Sequence, residues 1–439
     1  MKQLNKGNQK LLNAWAFYDW ANSVYSLVIA SAIFPIFYQA LFKSGGVETV
    51  HIFGGEIRST PLISYTTASA FLVVAFISPF LSGIADYIGN KKNFMKFFCY
   101  MGGLSTMGLY FFNLEYIYIS LLFYFLGLIG FWGSLVFYNS YLPDIAFPEQ
   151  QDRISARGYA WGYIGSVLLL IFNLIMVMKP EWFGFGNDGA AAMEGMKWSF
   201  VSVGVWWILF SQYTFYYLPK GNRNNGRIHK KVFLNGFIEL KKVYQSLSQN
   251  LILKRYLTAF FVYSMAVQTV MLVATYFGEQ EISWGGDQEK TVGLIVSIMI
   301  IQLVAVGGAI WTSRASEKFG NIRVLVFINF IWLIICIAAY FIKTPVQFYI
   351  TAGVVGLVMG GIQSLSRSTY SKFLPETTDT TSYFSFYDVA EKIGIVIGMF
   401  IYGFIDQFTG SMRNSVVFLA LFFLSGLTLL LRVPKYKTE

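Results

Sequence analysis

The chain has 439 residues, of which 55% are hydrophobic, 19% aromatic and only 13% charged. Soluble domains carry about 25% charged residues, and with a mean hydropathy of +0.53 the composition excludes an ordinary soluble fold and describes a polytopic membrane protein. The net charge of +10 is then read as the basic bias of loops on one side of a bilayer, with no nucleic-acid partner implied.

A membrane-crossing helix needs about 20 mainly apolar residues. Twelve such segments follow in order, at roughly 11–42, 62–85, 94–113, 116–141, 159–178, 198–218, 255–278, 291–312, 323–342, 346–370, 383–405 and 415–433. The opening MKQLNKGNQK runs straight into an apolar stretch too long for a signal-peptide core, so no cleavable signal is expected. The predicted class is an all-α membrane protein with two six-helix halves, 1–218 and 255–439, joined by a linker at 219–254. In that linker Phe233, Phe237, Leu240, Tyr244 and Leu247 recur at helical spacing among lysines, which predicts an amphipathic helix on the inner membrane face. Outside, Glu48–Thr60 places Gly54-Gly55 between β-prone runs and predicts a hairpin, and 179–197 reads as a loop.

Alternation of the connections sets the orientation. With a cytoplasmic N-terminus, the inner segments hold Lys2, Lys6, Lys10, Lys91, Lys92, Arg153, Arg157, Arg223, Arg227, Lys230, Lys231, Lys435 and Lys437, among others. The outer segments keep Lys43, Arg58, Lys179, Lys197, Lys290, Lys343 and Arg413. This bias places both termini in the cytoplasm and the protein in the cell's inner membrane, as a multi-pass chain in contact with the lipid bilayer.

Charges inside spans are the functional candidates, because each costs roughly 2.5–3.5 kcal/mol to insert and so faces a protein interior or a water-filled cavity. In the eleventh span Asp388, Glu391 and Lys392 fall on one helix face. In the first, Asp19 is the only charge, with Asn22 beside it; both are candidates to bind protons or substrate, the alternative being that Asp19 satisfies a neighbouring backbone group or an Arg at the inner end of the bundle. These two helices are expected to face each other across a substrate path. Asp388 and Lys392 are spaced to form a salt bridge, which would leave Glu391 as the surplus acid and proton carrier. Asn139, Gln268, Gln363 and Arg367 complete the candidates for substrate or proton binding; Arg367 could reach an anionic substrate, with snorkelling or a latch to Asp86, Asp144 or Glu317 the favoured alternatives. Gly356…Gly360 and Gly394…Gly398 are small-residue pairs that allow close helix packing. Cys99 and Cys336 lie in apolar segments and His51 and His229 in polar connections, so no metal site, disulfide or cofactor is expected.

The halves echo each other. Gly83, Asp86, Gly89 and Lys91 follow the second span; Glu317, Gly320 and Arg323 follow the eighth in the same acid, Gly-Asn, base order. The first of these loops, GIADYIGNKK, resembles the loop signature of the major facilitator superfamily, although Tyr87 and Asn90 replace its basic residues. The segments Ala14–Ser23, Phe137–Ala146, Ile154–Gly165, Gln363–Ser368 and Phe386–Gly394 are similar to those of its vacuole-effluxer-like branch, the family of the autophagy-related vacuolar amino-acid exporter. Glu391 departs from the family pattern, which has a small residue there. The resemblance implies the major facilitator fold and secondary transport of a small molecule, amino acids first. Embedded acids and the lack of a phosphate-binding Gly-rich loop favour proton coupling over ATP. Sugars, peptides or other metabolites are the alternative cargo, and a non-transporting receptor or scaffold the alternative function. No enzyme activity is expected, and a monomer is.

Overall fold

The computed structural model describes residues 4–47, 49–52, 54–187, 189–220 and 232–434. Of the cations counted above, Lys2, Arg223, Arg227, Lys230, Lys231, Lys435 and Lys437 lie outside the described residues, as does the side chain of Phe233.

Apart from one short hairpin, the described residues form a bundle of α-helices. The first span is one long helix, α1 (Gln9–Val24), a π-helical stretch (Tyr25–Ile33) and α2 (Phe34–Ser44). Asn8 caps it, its side chain accepting from the Lys10 N–H at 2.9 Å. The predicted hairpin follows as an antiparallel pair, Thr49–Ile52 with Gly55–Arg58. Then come α3 (Ser59–Ile88), α4 (Lys91–Gly108), α5 (Ile117–Asn139), the short α6 (Leu142–Ile145), α7 (Pro148–Met178) and α8 (Gly189–Tyr217). Helix α8 begins before the expected 198, so the Gly/Ala-rich stretch assigned to a loop is partly its first turns. The linker helix α9 (Val232–Gln249) leads to α10 (Leu251–Glu281), α11 (Asp287–Phe319), α12 (Asn321–Ala338), α13 (Pro345–Phe373), α14 (Thr380–Thr409) and α15 (Met412–Leu431). Among the described residues, nine helices are long and apolar enough to cross a membrane; α4, α8 and α14 of the expected twelve are not among them.

The hydrophobic side chains form two cores. One runs from Leu11 to Leu218, with Ile298 and Met299 of the second half packed against it; the other holds Val243 to Val433 and takes Tyr163, with Tyr159 packed against it, from the first half. Across the boundary α3 packs on α14, and α7 on α11 and α13. Hydrogen bonds tie the start of α4 to the end of α8 (Lys92 Nζ to Leu218 O, 2.7 Å) and the start of α10 to the end of α15 (Arg255 Nη1 to Arg432 O, 2.8 Å). Those termini share one end of the bundle, called the basic end below. Helix α9 lies there against α3, α10 and α14, with Val243 buried, Tyr383 donating to Ser246 Oγ at 2.8 Å, and Phe237 and Tyr244 exposed.

Glycine sets the tightest contact. A Cβ on Gly360 would stand 2.1 Å from the Ala305 carbonyl oxygen, and one on Gly308 2.1 Å from that of Leu357. Gly356 and Gly360 thus serve packing, letting the α11 and α13 backbones touch. Gly398 likewise admits Thr269, whereas Gly394 has only ordinary contacts.

Candidate functional site

At the basic end the halves are latched by acids. Helix α3 stops at Gly89, whose φ of +70° is the left-handed cap that glycine adopts without strain. This turn leaves Asp86 pointing across the boundary. Its carboxylate accepts from the backbone N–H groups of Ser382 (2.7 Å) and Thr381 (3.3 Å) in the first turn of α14. Those N–H groups have no partner inside their own helix, and the helix dipole favours an acid there. Lys91 lies beside it, ion-paired to Asp144 at 2.5 Å and donating to Ser140 O and Thr380 Oγ1, both at 2.9 Å. Gly83 is buried inside α3.

The echo after α11 is a latch too, but with different chemistry. Gly320 makes the turn at φ +84°, while Glu317 and Arg323 are exposed and are not its working groups. The acid is Asp152 of α7, in the opposite half. It accepts from Ser316 Oγ (2.9 Å), Asn321 Nδ2 (2.8 Å) and Lys372 Nζ (2.5 Å). In the first latch the acid ends a helix and the donors begin one; in the second the acid lies near the start of α7, and two of its three donors, Ser316 and Lys372, lie at the ends of α11 and α13. The order of residues along the chain carries no sign of that difference.

Deeper in, Arg367 of α13 is the largest buried charge, 2% exposed. The expectation that it reaches Asp86, Asp144 or Glu317 is not met. Its guanidinium enters a socket built by the other half. Nη2 donates to Asp19 Oδ2 (3.1 Å) and Ser155 O (3.0 Å), Nε to Ser155 Oγ (2.9 Å), and Nη1 to Asn139 Oδ1 (3.2 Å). The rings of Tyr159, Trp15 and Tyr138 lie 4.3, 4.8 and 5.4 Å from its central carbon. The Tyr138 hydroxyl also donates to Asp19 Oδ2 at 2.8 Å. Asp19 is 4% exposed, so each charge of the pair is compensated by the other. The socket depends on Gly158: a Cβ there would stand 2.4 Å from Asp19 Oδ2. Asp19 therefore looks to α13, and the predicted facing of the first and eleventh spans through their charges is corrected. The planar fork of arginine spans three helices, α1, α5 and α7, which a lysine cannot do.

The third cluster centres on Lys392, 1% exposed. Its Nζ donates to Asp388 Oδ1 and Glu391 Oε2, both at 2.9 Å, and lies 3.7 Å from the Trp132 ring centre on α5 of the other half. Gln268 of α10 donates to Glu391 Oε1 at 2.8 Å. Glu391 is thus not the surplus acid. It is held by two partners, and the free acceptor is Asp388 Oδ2, buried without a hydrogen bond among the described residues. Between these layers the Tyr163 hydroxyl donates to Gln363 Oε1 at 2.6 Å, joining α7 to α13. Asn22 is buried, its Nδ2 unpartnered among the described residues. Of the predicted groups, the fold brings Asp19, Asn139 and Arg367 into one cluster and Gln268, Asp388, Glu391 and Lys392 into another. Trp132, Tyr138, Ser155, Gly158 and Tyr159 were missed. All but Trp132 lie in the quoted motif blocks, but nothing in the chain pairs them with their partners. Among the described residues no group of His, Cys, Asp and Glu suits a metal ion.

A family model described as vacuole effluxer Atg22 like matches residues 7–439. An uncharacterized MFS-type transporter of Bacillus subtilis (strain 168), YxiO, is 31% identical over 427 residues, covering 96% of this chain and 94% of that one. Autophagy-related protein 22 of Vanderwaltozyma polyspora is 23% identical, covering 98% of this chain and 91% of its own. In fold, the Escherichia coli fucose:proton symporter FucP superposes with a TM-score of 0.68 at 16% identity, covering 97% of this chain and 98% of that one.

Proposed function

The chain belongs to the vacuole effluxer Atg22-like family of membrane transporters, and from that premise we propose a secondary transporter that exchanges amino acids for protons by alternating access. One observation carries the reading. The halves have separate apolar cores, yet share buried polar contacts: Arg367 enters the socket of Asp19, Asn139 and Ser155, and Lys392 sits on Trp132. Hydrogen bonds and ion pairs at such a boundary break and re-form as discrete events, which suits two bundles rocking about a central site. The latches at Asp86 and Asp152 close the basic end in the state described.

A zwitterion needs one partner of each sign, and the bundle interior holds both in two clusters. Two carboxylates and one ammonium at Asp388, Glu391 and Lys392 leave one formal negative charge. A proton and a substrate ammonium are both cations that this charge takes in turn, and taking them in turn is antiport. The family name supports efflux, and the embedded acids support proton coupling. The excess of basic residues at one end supports a cytoplasmic membrane with both termini inside.

The test is purified protein in liposomes, given a pH gradient and a mixture of labelled amino acids. Gradient-dependent flux that is lost in Asp388→Asn and Glu391→Gln is expected. No uptake, exchange or gradient dependence across the mixture sinks the amino-acid reading. Gradient-dependent flux of a sugar or peptide instead would keep the transporter and replace its cargo.

A further inference from the structure

We propose that the pocket walled by Asp388, Glu391 and Trp132 is a binding site for a free primary ammonium group, filled in this state by the chain's own Lys392. The proposal deepens the amino-acid reading, on which it rests for the identity of the natural ligand. The site itself is argued from geometry. The Lys392 ammonium has a carboxylate oxygen on each of two sides at 2.9 Å and an indole face at 3.7 Å. Carboxylates supply acceptors to an ammonium, and the face of Trp is the best aromatic surface for a cation.

Two features show that the pocket is more than a partner for one lysine. Glu391 is anchored independently by Gln268 at 2.8 Å, so its position does not depend on Lys392. Asp388 keeps a buried oxygen, Oδ2, that no described donor reaches. A second N–H donor would satisfy that oxygen, which the salt bridge to Lys392 does not. Lys392 follows Glu391 directly in the chain. Its ammonium therefore can stay on Glu391 while Asp388 and Trp132 receive the incoming one. Trp132 comes from the other half, so the pocket is complete only while α5 and α14 are together. Ligand and lysine alternate on the same acceptors, and the empty carrier never carries two unbalanced acids through the membrane.

The experiment is chemical rescue, read by thermal unfolding of the full chain in detergent. Lys392→Ala removes the tethered ammonium and leaves the space of its stem. Its melting midpoint is expected to rise with added n-propylammonium and to saturate, because a ligand of the folded state raises apparent stability. The double variant Lys392→Ala with Asp388→Asn is expected not to shift, and wild type, where the ligand competes with the tethered Lys392 ammonium, to shift only at higher concentration. Tetramethylammonium, which has the charge but no N–H, is expected to act weakly. No shift in Lys392→Ala, an equal shift in all three proteins, or equal rescue by tetramethylammonium would overturn the proposal. If Lys392→Ala is recovered only when n-propylammonium is present throughout purification, and not with sodium, that recovery is the same positive result. If it is recovered in neither, Lys392→Gln with methylammonium is read by the same criteria. No transport is measured, so failure here leaves the transporter reading standing. Rescue without amino-acid flux in liposomes would sink the cargo assignment and keep the ammonium site.

Discussion

Arg367→Lys tests whether the arginine socket holds the basic end closed. The charge is kept and the fork is lost. Arg367 donates four hydrogen bonds to the other half, two of them through Nε to Ser155 Oγ and Nη1 to Asn139 Oδ1. A lysine ammonium that stays on Asp19 abandons those two. Hydrogen bonds from a charged donor are worth about 1.5–3 kcal/mol each, so the closed state loses roughly 3 kcal/mol, or a factor of about 150 in population at 1.4 kcal/mol per tenfold. The reporter is Thr381→Cys, fully buried between the halves where α14 meets Asp86. The native Cys99 and Cys336 are buried and give a low background. Labelling by a bulky, polar maleimide requires the basic end to open, so its rate follows the open population. Introducing Arg367→Lys into this reporter is expected to speed labelling on the order of 100-fold. Unchanged labelling in a folded protein would refute the claim that the socket sets the closed state.

Three further substitutions probe other contacts. Gly158→Ala puts a methyl 2.4 Å from Asp19 Oδ2; overpacking of this kind costs about 1–3 kcal/mol, so a lower melting midpoint and faster labelling at position 381 are expected, and wild-type values for both would show that the socket has slack. Asp86→Ala removes the cap on α14, worth about 0.5–2 kcal/mol, and should speed labelling by about 2- to 30-fold at 1.4 kcal/mol per tenfold; its effect should combine with that of Asp152→Ala, since the latches have no partner in common. Gly360→Ala meets a carbonyl oxygen at 2.1 Å that cannot turn aside like a side chain, so α11 and α13 must separate. Its melting midpoint should fall further than that of Gly353→Ala on the same helix, where the nearest atom to a new Cβ is 3.9 Å away.

The sequence already carried the membrane class, the two-half plan, the hairpin, the linker helix and most of the polar groups that matter. Each follows from a local property: apolar length, helical or strand periodicity, or a charge where insertion is costly. Asp19, Asn139, Arg367 and the Asp388–Glu391–Lys392 patch all stood out because a charge or amide in an apolar run demands a reason. Their partners were another matter. Arg367 was expected at the loop acids but lies on Asp19, which is close to the opposite end of the chain. The echo of Asp86 was expected at Glu317 and is supplied by Asp152. Glu391 was expected to be the spare acid, but Gln268 and Lys392 hold it and Asp388 keeps the free oxygen. Such choices depend on which helices touch, at what depth and in what rotation. Those are fixed by Gly308 and Gly360 allowing backbones to meet, by Gly158 leaving room for the Asp19 carboxylate, and by two bundles closing on each other. A local pattern selects residues that cannot face lipid, whereas only the packed structure decides which of them compensates which.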